Sequence, residues 1–320
     1  MLYDIAQYQD AGHSILGISK CLSIADDAIS AGDNRLFDLC RCRWMQIGEV
    51  VALASFFRTV RSRGLCVEGR YLPNSEVGTY LTRMDFFKVQ DIVREEHFQR
   101  HDSDMRFLSL TPIEWDANAN EIPSKLRNIV LAKTEVDESL VGALDYAFGE
   151  IVDNVLTHSR AHVEGLVGAQ YYPAKSFVEF CVADGGVGVA QTLRGNPAYS
   201  TLCDSELLVK SLDYGVGENT WDFRDDAQGY GCGFGLTFAA RLVEATQGDL
   251  WMVSNGAGIR LSKDGLTVYD GYNVIGTVIC MRIPSNVRVS EDDVLRNGVL
   301  SPYGWNSADG HDNKIDDTLW

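Results

Sequence analysis

The sequence predicts an α/β protein in two units, a small one first and a larger one after it. Three observations carry this. Apolar-striped helical stretches alternate with short strand-like runs along most of the 320 residues. A stretch rich in Pro, Asn and Asp interrupts the alternation over 111–123. Three polar and glycine-rich boxes, at 150–158, 184–188 and 229–236, all fall in the second part.

The first unit spans 1–115. Residues 36–40 form a plausible strand. Residues 44–63 read as a helix, with Ile47, Val50, Val51, Ala54 and Phe57 on one face and Gly64 as its stop. Residues 65–71 alternate as a strand does, and 75–87 form a second helix with Tyr80, Leu81 and Met84 inward. A linker is expected at 116–123 and the second unit at 124–286. There Thr134-Glu135-Val136-Asp137 reads as a capping box. The helix that follows carries Leu140, Leu144, Phe148, Ile151 and Val155 on its apolar side. Strands are expected at 163–171 and 177–183, a helix at 233–246, and strands at 250–254 and 276–283. Residues 287–320 are acidic and weakly periodic, and read as a partly disordered tail.

Composition excludes several classes. The net charge of -17 argues against a general nucleic-acid-binding surface, which needs clustered Lys and Arg. The eight cysteines include no Cys-x-x-Cys pair, which argues against zinc. Such scattered cysteines point to a reducing, cytoplasmic setting. No uninterrupted apolar run is long enough to span a bilayer, and the start has no signal pattern, so a soluble protein is expected.

The boxes carry the chemistry. Glu150, Asn154 and His158 lie at i, i+4 and i+8, so a helix presents them along one stripe. Asn154 offers a neutral oxygen suited to Mg²⁺, and Glu150 a carboxylate able to orient or deprotonate a nucleophile. A solvated polar helix face is the plainer alternative. Asp184 ends an apolar strand and precedes Gly185, Gly186 and Gly188, an arrangement fit for an acceptor beside a closely approached base, or for a tight turn. Gly229, Gly231, Gly233 and Gly235 alternate before Leu236 opens an apolar helix, so that unobstructed N–H groups face an anion. Cys232 sits among them.

In this order the boxes resemble the N, G1 and G2 boxes of the GHKL, or Bergerat-fold, ATPases, and the whole resembles a stand-alone ATP-binding region of the histidine-kinase type. The resemblance implies a two-layer α/β sandwich that binds ATP with Mg²⁺. It assigns the metal to Asn154, the general base to Glu150, a phosphate-facing place to His158 and the adenine to Asp184. Gly186 and Gly188 would line the base. Gly229, Gly231, Gly233, Gly235 and Leu236 would surround the phosphates, and Thr277 would support Asp184 through water. The segment 189–228 corresponds to the ATP lid, with a short helix at 206–215. There Arg194, Lys210 or Arg224 would either reach phosphates or stand as exposed charges.

The element order of the first unit resembles STAS-like domains, though the Asp-Ser phosphoacceptor of anti-anti-sigma factors is missing at 40–44. His101-Asp102 only superficially resembles a histidine-kinase phosphoacceptor, since two long striped helices are lacking. After Pro284 no transducer domain is expected. The implied activity is an ATPase whose lid closure signals to a protein partner. A serine/threonine kinase of the anti-sigma type and a non-hydrolysing ATP-sensing scaffold are the alternatives. No membrane is implied, and the oligomeric state, homodimer included, stays open.

Overall fold

The computed structural model describes residues 1–9, 14–27, 35–96, 98–100, 103, 105–114, 121–213, 215–217 and 235–295. The first unit is built on a three-stranded parallel sheet in the order β1-β2-β3, with β1 at Leu2–Asp4, β2 at Arg35–Asp38 and β3 at Val67–Arg70. Its two crossovers are α1 (Ser14–Asp27) and α2 (Ile47–Ser62). Helix α3 (Glu76–Arg83) follows, with Ser75 Oγ accepting from Gly78 N.

The second unit holds a five-stranded antiparallel sheet in the order β4-β5-β6-β8-β7. Its strands are β4 (Phe107–Pro112), β5 (Leu166–Tyr172), β6 (Phe177–Asp184), β7 (Asp249–Ser262) and β8 (Gly265–Pro284). One face packs against α4 (Glu121–Lys133), α5 (Val141–His158) and α8 (Gly235–Thr246), giving the layered α/β arrangement. Between β6 and β7 lie α6 (Val189–Arg194) and α7 (Asp204–Lys210), and α9 (Glu291–Leu295) follows β8.

Alternation along β6 sorts the two faces. Val178, Phe180 and Val182 join the core under α5, whereas Cys181 and Ala183 join a second core with α1 and α2. The first unit therefore buries the other face of the sheet, and α2 runs along β6. Its first N–H groups are satisfied from the sheet: Ile47 N donates to Tyr172 Oη at 2.8 Å and Gly48 N to Glu179 Oε1 at 3.0 Å. Glu179 is fully buried and accepts from Arg282 Nε at 2.5 Å. Arg282 also reaches Gln46 Oε1. Close by, burial pushes the Glu49 carboxyl up to about 7, against hydrogen bonds from Gln46 N and Gln9.

Several expectations change in detail. The interruption read over 111–123 is shorter: Thr111 and Pro112 close β4, Ile113 N donates to Gly165 O, and Glu121 already opens α4. Pro112 is tolerated because β4 is an edge strand. The cap before α5 is Asp137, whose carboxylate accepts from Ser139 N, while Thr134 donates to Val130 O at the end of α4. Residues 287–295 do not trail away from the domain. Val289 bridges to Val136, and Val289 and Val294 are buried in the α5-side core. The rest of that tail, 296–320, lies outside the described residues.

Candidate functional site

Helix α5 is the spine of the site. Leu144, Ala147, Phe148, Ile151, Val152 and Val155 fill the core and so turn Glu150 and Asn154 to a half-buried stripe. Burial raises the Glu150 carboxyl above its ordinary range, aided by the charge of Asp153 and opposed by a hydrogen bond from Tyr146. His158 is the last residue of α5, and its side chain lies outside the described residues.

Gly235 begins α8 directly against Glu150. A Cβ on Gly235 would stand 2.3 Å from Glu150 Cβ and 3.4 Å from Ala147 O, so only glycine admits this approach. The start of this 12-residue helix is thereby set beside Glu150. Leu236, the next residue, is buried in the core. Gly229, Gly231, Gly233 and Cys232 lie outside the described residues, as do Arg224 and the pair His101-Asp102.

The second cluster forms where β6 ends. Asp184 stands opposite Thr277 of β8 and is 7% exposed. Its Oδ1 accepts from Gly186 N at 2.8 Å, and the Thr277 amide also donates to the carboxylate. Burial outweighs both bonds and lifts the carboxyl to about 6. The Thr277 hydroxyl is engaged elsewhere: it accepts from Val189 N at 3.2 Å and lies 3.2 Å from Ser254 Oγ.

Each glycine of this box faces a protein neighbour. A Cβ on Gly185 would lie 1.8 Å from Thr59 Oγ1, one on Gly186 would lie 1.8 Å from Ser159 O, and one on Gly188 would lie 2.4 Å from Asn255 Oδ1. Gly188 also has φ +83°, and Gly276 of β8, at φ +77°, backs onto Asp184 O. The glycines are thus required by packing around the loop. Ser254 and Asn255 complete its clamp: Val189 N donates to Ser254 Oγ at 2.9 Å, and Asn255 Nδ2 donates to Val187 O at 2.9 Å. Sequence reasoning missed both. Their signal was a polar Ser-Asn-Gly step inside an otherwise apolar strand.

The two clusters are joined by α5 itself. Ser159, just past its last turn, accepts from Val187 N at 2.7 Å. At 1.5 Å per residue this contact lies about 14 Å along the helix from Glu150. One face of the second unit thus presents a buried carboxylate acceptor at one end, and a helix N-terminus with a carboxylate and an amide at the other. Two cations of the expected lid are paired within the protein, Arg194 with Asp204 at 2.5 Å and Lys210 with Asp213 at 2.7 Å.

Among the described residues no group of three or more His, Cys, Asp or Glu is placed to hold a metal, and no helix is long and apolar enough to cross a membrane. No curated protein matches the chain. Residues 116–263 match the family model of the histidine kinase-like ATPase domain, a span that includes Glu150, Asn154, Asp184 and the start of α8 and stops before Thr277. That segment of the chain is a histidine kinase-like ATPase domain, of the GHKL type whose members bind ATP.

Proposed function

We propose that the chain binds ATP with Mg²⁺ across the face of α5, hydrolyses it, and passes the outcome to a protein partner through its first unit. The observation that carries this is the approach of Gly235 to Glu150, which sets a helix N-terminus beside a carboxylate of raised pKa. A helix N-terminus favours phosphate, and a carboxylate with an elevated pKa is suited to take a proton near neutral pH.

In this reading Asp184 accepts from the exocyclic amine of adenine, and its neighbours Gly186, Gly188 and Thr277 hold the loop in place. The N-terminus of α8 receives the terminal phosphates, together with the glycines that precede it. Asn154 would supply a hard oxygen for Mg²⁺. A single amide oxygen fits an ion that keeps several waters and phosphate oxygens and takes few protein ligands. When bound, that ion neutralises charge on the phosphates. Glu150 orients the attacking water and takes its proton at a carboxylate oxygen.

The test uses Glu150→Ala in the full chain. Binding of ATP should persist and phosphate release should stop, as expected of a group acting in the transition state. Wild-type turnover in this variant would remove Glu150 from the base role. Labelled γ-phosphate in the same assay reports whether the product is free phosphate or a phosphorylated protein.

A further inference from the structure

Helix α2 belongs to the first unit, yet two adjacent residues near its C-terminal end reach both flanks of Asp184. Thr59 is 3% exposed and lies against Gly185, the residue after Asp184, so closely that a Cβ there would meet its Oγ1, Cγ2 and Cβ at 1.8, 2.6 and 2.7 Å. Thr59 Oγ1 donates to Ser55 O at 2.8 Å, which fixes the rotamer pressed on the loop. Arg58 pairs with Glu164 Oε2 at 2.5 Å. The next residue, Gly165, faces the other side: a Cβ on it would stand 3.6 Å from Asp184 Cβ. The far end of α2 is pinned to the same strand through Gly48 N and Glu179. Beyond Thr59, Arg61 donates to Gln90 Oε1 at 2.9 Å, and Gln90 Nε2 donates back to Ala54 O of α2 at 3.0 Å.

We propose that α2 is the rear wall of the adenine site, with Thr59 as the positioning residue that holds Gly185 and hence Asp184, and that nucleotide binding is felt by the first unit through this contact. The proposal rests on the reading of Asp184 as the adenine acceptor. It follows from packing: Gly185 has no side chain to yield, and Thr59 is buried on a helix anchored at its other end, so neither surface moves without the other. A ligand that orders the adenine loop must also restrain residues 55–62 of α2. The reverse coupling holds by linkage, so a change at Thr59 that displaces Gly185 must alter nucleotide affinity.

The experiment combines hydrogen exchange and calorimetry on the full chain, with ADP and a non-hydrolysable ATP analogue. In the wild type, peptides over 150–158, 184–189 and 55–62 should all gain protection. Thr59→Leu enlarges the side chain against Gly185 and should weaken ADP about tenfold or more, within the usual range of coupling between sites. Thr59→Ser keeps the hydroxyl and its bond to Ser55 O, and should bind as the wild type does. Protection over 150–158 and 184–189 with none over 55–62 would overturn the proposal while leaving ATP binding intact. So would a folded Thr59→Leu with unchanged affinity. If Thr59→Leu does not fold, the wild-type exchange pattern decides alone. Absence of nucleotide-dependent protection in any peptide would overturn the ATP reading, and this proposal with it.

Discussion

Replacing Asp184 by asparagine should make the protein more stable and a poorer binder at once. The carboxyl titrates at about 6 in the folded chain against an ordinary 3.8, because burial outweighs the hydrogen bonds from Gly186 and Thr277. A shift of about two units corresponds to about 3 kcal/mol. The sign follows from proton counting. Between about pH 4 and 6 the folded state holds the proton that the unfolded state has released, so stability falls as pH rises through that window and stays lower above it. Asparagine carries no such loss. Its oxygen keeps the Gly186 bond, but its NH₂ group faces a backbone donor, which returns about 1–2 kcal/mol. Asp184→Asn should therefore gain about 1–2 kcal/mol at pH 8 in urea unfolding. The gain should narrow by about 1.4 kcal/mol at pH 5, one unit below the folded pKa. Affinity should move the other way, because the amide presents a donor to the adenine amine, and ATP should weaken about ten- to hundredfold. A variant less stable than wild type at pH 8, or a difference that does not change with pH, would refute the reasoning.

Further outcomes are expected at other positions. Gly235→Ala should push α8 away from Glu150 and lower turnover more than ADP binding, and equal losses in both would place the effect on the fold alone. Turnover should rise with pH through the elevated pKa of Glu150, and a flat profile over the acidic limb would argue against a base raised by burial. Asn154→Ala should abolish the Mg²⁺ dependence of ATP binding measured by titration with and without chelator, whereas retained dependence would locate the metal elsewhere. Arg282→Met strands the fully buried Glu179 without its ion partner and should cost about 3–5 kcal/mol in denaturant unfolding. A loss below about 1 kcal/mol would mean that Gly48 N and the helix it begins satisfy Glu179 unaided.

Much of the fold was legible where periodicity was uninterrupted. The stripes of α2 and α5, and the apolar runs of β5 and β6, stand in the structure within a few residues of their expected bounds. The misses have specific causes. Pro123 suggested a linker, yet it occupies the first turn of α4, where a missing N–H costs nothing. Helix α1 carries Gly17, Ser19 and Ser23, which dilute a stripe of Ile15, Ile18, Cys21, Leu22 and Ala25 that is nonetheless buried. The first half of β8 carries Gly265, Asp270, Gly271 and Asn273, residues of weak strand propensity. It pairs with β7 around a two-residue turn at 263–264, so tertiary pairing overrides weak strand propensity. At the site, one sequence does not show what a glycine faces. Gly185 needs Thr59 from a distant segment, and Gly188 needs Asn255, so the reason for each glycine became visible only in three dimensions.

The central claim, that adenine nucleotide binds between Asp184 and the Glu150–Asn154 stripe, is tested most directly by calorimetric titration of the full chain with ATP and GTP in the presence of Mg²⁺. The account predicts saturable ATP binding by the wild type, weaker binding by Asp184→Asn, and no GTP binding. Equal affinity for ATP and GTP, or an Asp184→Asn titration identical to wild type, would contradict it.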